Sequence, residues 1–487
     1  MLFSSLTFLY AFLPLCLLAC LLSRSLRQQN AVLLAFSLVF YTWGEPVYVL
    51  LLMGMSLADW FIAIRIEMCD SYRGRRRWLI AAGAVNLALI GFFKYSGLAA
   101  SFFGEVPELI KNLALPLGIS FYTFQLLSYV VDVYRGDAVA QRSYFRVLLY
   151  AALFHQCIAG PIVRYKTISR ELFEHRDARP YLAEGVKRFA WGLGKKVLLG
   201  NACAELAAAL TLSEAAISGG MSVADGAAQL AAVPVAGLWL AAAAYMLHIY
   251  LDFSGYSDMA IGLGLMLGLH YPENFDHPYA SRSVSEFWRR WHMSLSAFFR
   301  DYVYIPLGGS RRGLPRTLLN LFIVWSLTGL WHGASVTFAL WGVYYFVFLA
   351  LERLFLGKLL SRLPPPISWL YTALVVFFGW VIFRFTEPEL LITALKGMFG
   401  LNGNPLTSFQ VELFFENRVF ILAAAALVCA PWLKSLGGRI SAHCEGRSVL
   451  SRAWSTLTIC VIPAAILLLS TSMLVGGSYN PFIYFRF

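Results

Sequence analysis

Long apolar stretches broken by short polar loops run along almost the whole 487-residue chain. Candidate membrane spans fall at roughly 6–23, 31–43, 46–64, 78–95, 115–133, 144–160, 189–209, 230–250, 318–334, 336–356, 367–385, 419–436 and 455–475. A helix needs about 20 apolar residues to cross about 30 Å of hydrocarbon, and several of these stretches are shorter or interrupted. About eleven true crossings are therefore expected. Residues 250–269 read either as a further span or as a partly buried helix. The pattern predicts an all-α, polytopic membrane protein. It forms a single integral-membrane domain over 1–487, with an amphipathic cytoplasmic-side segment at about 270–317.

Charge in the loops orients the spans. Arg73, Arg75, Arg76 and Arg77 share one loop, and Arg164, Lys166, Arg170, Arg176, Arg179, Lys187 and Arg188 fill a second. A third holds Arg282, Arg289, Arg290, Arg300, Arg311, Arg312 and Arg316. By contrast, 211–229 has no basic residue, and 386–418 carries Glu387, Glu389, Glu412 and Glu416. Lys and Arg concentrate in cytoplasmic loops, which puts the basic set in the cytoplasm and both termini outside it. Residues 144–160 have basic loops on both sides, which one crossing cannot satisfy. A re-entrant or in-plane helix resolves the conflict. No repeat relates the two halves, which argues against a transporter of the inverted-repeat type.

Composition agrees with this class: 59% of residues are hydrophobic and 14% charged, against roughly 45–50% and about 25% in soluble domains. Mean hydropathy is +0.65. The net charge of +12 does not point to nucleic acid, because the basic residues flank apolar spans. No Lys or Arg precedes Arg24, so the first stretch reads as an uncleaved span rather than a signal peptide. The eight cysteines form no CxxC pair and no Cys/His cluster. They read as small buried hydrophobes, with no metal site and no disulfide framework.

Three polar clusters inside this apolar chain carry candidate chemistry. The segment Glu286–Asp301 predicts an amphipathic helix with Trp288, His292, Leu295 and Phe299 on one face and Arg289, Met293, Ser296 and Arg300 on another. A basic helix with aromatic residues suits a membrane interface. His292 then points inward, either as a backbone-bonded anchor residue or as a functional group. His332 is the only ionisable residue between Arg316 and Glu352, and shares a helical face with Trp325, Thr328, Gly329 and Ser335. A neutral imidazole shielded from water suits general-base activation of a hydroxyl, and shielding protects an activated acyl group from hydrolysis. Its alternative role is a hydrogen-bonded tie between helices. Asp252 and Asp258 either position a substrate or His332, or hold a broken helix together. The basic glycine loop Gly308-Gly-Ser-Arg311-Arg312-Gly313 suits the phosphates of coenzyme A or a lipid headgroup. No GxSxG elbow is present, so an acyl-serine on this chain is not supported. The aromatic tail from Gly477 to Phe487 reads as an interfacial anchor.

Several motifs resemble the membrane-bound O-acyltransferase family, and its bacterial alginate O-acetyltransferase branch in particular. They are Met1-Leu-Phe-Ser-Ser5, Leu115-Pro-Leu-Gly-Ile-Ser-Phe-Tyr122, Val131-Asp-Val-Tyr-Arg-Gly136, Ala159-Gly-Pro-Ile-Val-Arg164 and Leu251-Asp-Phe-Ser-Gly-Tyr-Ser-Asp-Met-Ala-Ile-Gly262. Glu286-Phe-Trp-Arg-Arg-Trp-His292, Gly329-Leu-Trp-His-Gly-Ala334 and Tyr484-Phe-Arg-Phe487 complete the set, in order along the chain.

The resemblance implies a ring of transmembrane helices around a thinned centre, with shorter re-entrant helices inside. It implies acetyl transfer in the bacterial inner membrane, from a cytoplasmic donor such as acetyl-coenzyme A, with no bound cofactor. His332 is then the catalytic residue and His292 the second site. Asp252, Asp258, Trp331, Asn320, Arg289, Arg290, Arg311 and Arg312 are substrate-binding or supporting positions. The implied partners are membrane lipid, a periplasmic acetyltransferase of the SGNH-hydrolase type and a polysaccharide acceptor: alginate-like, cellulose or peptidoglycan. Two alternatives stand beside this reading. One is D-alanyl transfer to teichoic acid. The other is a polysaccharide or ion transporter using Asp252, Asp258 and His332.

Overall fold

A computed structural model describes residues 1–101, 103–104, 107–111, 113–213, 216, 220–444, 448–477 and 480. Among these residues there is no β-strand, and helices form the whole framework. Six helices among the described residues are long and apolar enough to cross a membrane: Val49–Glu67, Tyr72–Ala100, Val235–Met266, Val336–Leu360, Pro365–Arg384 and Val449–Gly476. Phe409–Cys429 and Trp432–Cys444, bent by 65° where they meet, make a seventh if taken as one span. The protein is thus a multi-pass, all-α membrane protein. The closing motif Tyr484–Phe487 and the rest of the aromatic tail, apart from Gly477 and Asn480, lie outside the described residues.

The difference from the expected eleven lies in stretches that are apolar but short, or that enclose polar groups. The first stretch yields only the helix Phe8–Leu22. Residues 115–133 become Ile119–Arg135, a 17-residue helix that buries Ser120, Thr123, Gln125, Ser128 and Asp132 along with its apolar side chains. Such a helix is surrounded by protein rather than lipid. The 189–209 stretch is one helical run interrupted by the charges of Lys195 and Lys196.

Residues 144–160 do not cross. Tyr144–Ala152 has nine residues, about 14 Å of helix, and the chain from Leu153 to Val163 is then irregular and buried. Non-helical backbone at membrane depth survives only where protein supplies its hydrogen bonds. Here Phe154 N donates to Ser37 Oγ (3.2 Å), Gln156 Nε2 donates to Tyr150 O (2.6 Å), and Tyr150 Oη donates to Val163 O (2.8 Å). This matches the re-entrant expectation. Residues 250–266 belong to a single 32-residue helix, Val235–Met266, so the Asp252–Asp258 cluster does not sit on a broken helix.

Glu286–Asp301 is not one amphipathic helix. Val284–Arg290 ends at Trp291, His292 adopts a left-handed φ of 44°, and a second helix starts as Met293–Phe299. The turn separates Trp288 and His292 from Leu295 and Phe299. The heptad-like spacing was real but cannot survive a left-handed residue in its middle.

The chain divides into two compact units: 1–190, 256–273 and 294–306 in the first, and 191–255, 274–293 and 307–487 in the second. Both histidine motifs belong to the second. Its core is aromatic, with Trp288 packed edge-on against Trp325 (4.7 Å), Tyr345 (4.8 Å) and Trp341 (5.5 Å). Leu314–His332 and Val336–Leu351 form a tight hairpin there. Gly329 and Gly342 meet backbone to backbone: a Cβ on Gly342 would overlap Trp325 O, and one on Gly329 would overlap Phe338 O. Small residues permit this approach in the way membrane helices commonly use.

Gly342→Ala should therefore force the hairpin apart, costing about 1–3 kcal/mol. The midpoint of thermal unfolding in detergent would fall, whereas an unchanged midpoint would remove the close approach as a constraint.

Candidate active site

His332 is the last residue of the helix Leu314–His332. Gly333 follows in an extended conformation, and Ser335 caps the next helix by accepting from Thr337 N at 3.2 Å. The Ser335 hydroxyl also donates to Thr386 O, which ties this corner to the end of Pro365–Arg384. The imidazole is 6% exposed and ringed by aromatic side chains. Trp331 lies 4.8 Å away, and Phe383 (5.0 Å, 85°) and Trp341 (5.2 Å, 83°) meet it edge to face. Contacts of this kind contribute about 0.5–1.5 kcal/mol each beyond burial. They hold the ring in place and exclude water from it.

His292 is held by different means. Its αL backbone is a conformation that costs a non-glycine residue about 1–3 kcal/mol, so the surroundings must impose it. Met293 N donates to Asn274 O at 3.0 Å, and His292 Nδ1 lies 3.2 Å from Asn274 Oδ1. An amide oxygen only accepts, so Nδ1 donates and the lone pair of the neutral ring resides on Nε2. Phe253 meets the ring edge-on at 4.7 Å. Upstream, Glu352 accepts from Val284 N (2.6 Å) and Ser285 N (2.9 Å), which fixes the start of the helix leading into this turn. Trp331 is the common neighbour of both histidines, 6.3 Å from His292 and 4.8 Å from His332.

The remaining candidates fall into distinct places. Asn320 donates to Gly309 O at 2.9 Å, pinning the glycine loop against the helix that ends in His332. Gly308, Gly309 and Gly313 all have positive φ, which lets this loop turn sharply. Arg311 and Arg312 are exposed on it, as is Arg289 on its short helix. Arg290 pairs with Glu286 at 2.7 Å. Asp252 is fully buried with Lys196, 2.9 Å apart, and Lys196 also reaches Asn201 Oδ1 at 3.2 Å. Asp258 belongs to the first unit, where Arg188 contacts it at 2.6 Å and also binds Glu273.

Two partners had no place in the sequence reading. Asn274 lies in an irregular stretch with no periodicity to single it out. Lys196 did carry a signal: a lysine inside an apolar run demands a counter-charge, and Asp252 supplies it.

Comparison with known proteins follows the same residues. A family model described as MBOAT, membrane-bound O-acyltransferase family, matches residues 137–395, the stretch that holds both histidines and every supporting position above. The chain is 36% identical to the "Probable alginate O-acetylase AlgI" of Pseudomonas aeruginosa over 538 aligned residues, covering 100% of both. It is 32% identical to the "Peptidoglycan O-acetyltransferase" of Helicobacter pylori over 461 residues, 86% of this chain and 84% of that one. With the "Teichoic acid D-alanyltransferase" of Bacillus subtilis it shares 26% over 286 residues, 56% of this chain and 68% of that one.

Removing one member of the buried Lys196–Asp252 pair leaves an uncompensated charge, at a cost of about 3–5 kcal/mol. Lys196→Met should therefore sharply lower the amount of folded protein, and adding Asp252→Leu should restore much of it. If the double variant folds and retains acyl transfer, Asp252 is a scaffold residue; folding with complete loss of transfer would give it a role in the reaction.

Proposed function

The chain belongs to the membrane-bound O-acyltransferase family, and from that premise we propose that it is a polysaccharide O-acetyltransferase of the bacterial inner membrane. Acetyl-coenzyme A is the donor, and its charged phosphates stay on the cytoplasmic side near Arg289, Arg290, Arg311 and Arg312. The pantetheine arm carries the thioester toward His332. The imidazole takes the proton from the accepting hydroxyl as its oxygen attacks the thioester carbonyl. The C–S bond then breaks, and the departing sulfur takes up that proton to leave as free thiol. His292 lines the acyl path, with Trp331 between the two rings. Asn320 supports the glycine loop, and Asp252 and Asp258 act through their ion pairs.

The acetyl group passes to a periplasmic partner of the SGNH-hydrolase type or directly to a polysaccharide. The alginate and peptidoglycan relatives support a carbohydrate acceptor, and their identities favour an alginate-like exopolysaccharide. The observation that carries the reading is the caged His332, in a chain aligned from end to end with an alginate O-acetylase. The teichoic acid relative supports D-alanyl transfer as a second reading. Purified protein offered labelled acetyl-coenzyme A separates the two, because only the first reading consumes the free thioester.

His332→Ala should lower acetyl transfer by about 10²–10⁴ with membrane abundance unchanged. Retained transfer would remove His332 from the mechanism. Arg311→Glu with Arg312→Glu should raise KM for acetyl-coenzyme A more than it lowers kcat, and a KM that does not move would place the phosphates elsewhere.

A further inference from the structure

The first unit contains a cavity of about 430 Å³ beside the end of the helix Phe8–Leu22. Leu17, Leu21, Leu182, Met266 and Leu267 give it apolar walls, and Arg24, Arg176 and Arg179 also line it. Arg176 is the informative member. Its Nη2 donates to Gln29 Oε1 at 3.1 Å, but its buried Nη1 has no hydrogen-bond partner among the described residues. Among the described residues no carboxylate forms an ion pair with it either. Asp177, also on the lining, accepts from the backbone N of Arg179 at 3.1 Å instead.

A desolvated guanidinium N–H without an acceptor is costly, and the position is built rather than incidental. Gly268 has a φ of +74°, and a Cβ there would come within 2.7 Å of Arg176 Cγ and 2.9 Å of Asp177 C. Only glycine lets the 176–178 segment seat so closely. Arg176 and Arg179 come from the basic loop whose charge assigns it to the cytoplasmic side, where the membrane carries its anionic lipids, and Arg24 lines the same cavity.

We propose that this cavity is a binding site for an anionic phospholipid. The phosphate bonds to Arg176 Nη1, and Arg24 and Arg179 add favourable charge. The chain then runs along Leu17, Leu182 and Met266 toward Leu21, which is 68% exposed. A soluble phosphate shares the anionic chemistry but leaves this apolar wall uncovered. Its lining shares no residue with the histidines or the donor arginines of the proposed reaction.

The test is native mass spectrometry of the full-length, detergent-solubilised protein incubated with phosphatidylglycerol or phosphatidylcholine. Phosphatidylglycerol should be retained about fivefold or more in preference to phosphatidylcholine, and Arg176→Gln should reduce its retention by about fivefold. Leu182→Trp, which fills the wall and keeps every charge, should reduce it as well and decides the matter if Arg176→Gln does not fold. Arg362→Gln, outside the cavity, should retain lipid like the parent. Equal retention of the two lipids, or unaltered phosphatidylglycerol on Leu182→Trp, would overturn the proposal. Displacement by inorganic phosphate or coenzyme A would assign the site to a soluble anion and overturn it equally.

Discussion

Hydrocarbon offers no hydrogen bonds, so every polar group that enters the membrane must find its partner within the protein. Much of this architecture follows from that requirement. The fully buried Lys196 and Asp252 lie together because neither could be there alone. Asp258 is met in the same way by Arg188, which also reaches the exposed Glu273. The irregular backbone after Ala152 is tolerated because Ser37 and Tyr150 bond its Phe154 N and Val163 O, and Gln156 in turn donates to Tyr150 O. Polar residues in an apolar chain are in this sense the joints of the structure.

The two histidines are held in place by different means, and the difference suits their proposed roles. His332 ends a helix that is locked to its neighbour through Gly329 and Gly342, and aromatic edges close around the ring. A base positioned this firmly has little freedom to lose on reaching its reactive geometry. His292 instead sits at a strained turn held by Asn274 and Glu352-anchored backbone. That strain is the cost of breaking the helix where the sequence pattern favours continuing it, and such strain commonly collects at functional sites.

Much of this was legible in the sequence. The apolar runs gave the class, loop charge flagged the odd segment at 144–160, and the isolation of His332 between Arg316 and Glu352 marked it out. What failed did so for identifiable reasons. Span counting reads hydrophobicity but cannot tell lipid from surrounding protein, and Ile119–Arg135 is enclosed by protein. Helical spacing placed Trp288, His292, Leu295 and Phe299 on one face, but a single αL residue cancels the phase relation beyond it. Asn274 is distant from His292 in sequence and carries no pattern, so only the folded chain brings it into view.

Charge pairing finally separates basic residues that sequence counts as equals. Arg188 and Arg290 each answer a carboxylate, and Arg384 donates through Nη2 to Ala207 O, Thr211 Oγ1 and Leu212 O. An arginine already bonded in this way must give up those bonds before it can hold a substrate phosphate, which erases most of the gain. Arg289, Arg311 and Arg312 are exposed and form no ion pair among the described residues. They can bind an anion without breaking anything. Of the basic residues proposed for the donor, Arg290 is therefore the weakest candidate, and its pairing with Glu286 ties it to the helix that precedes His292.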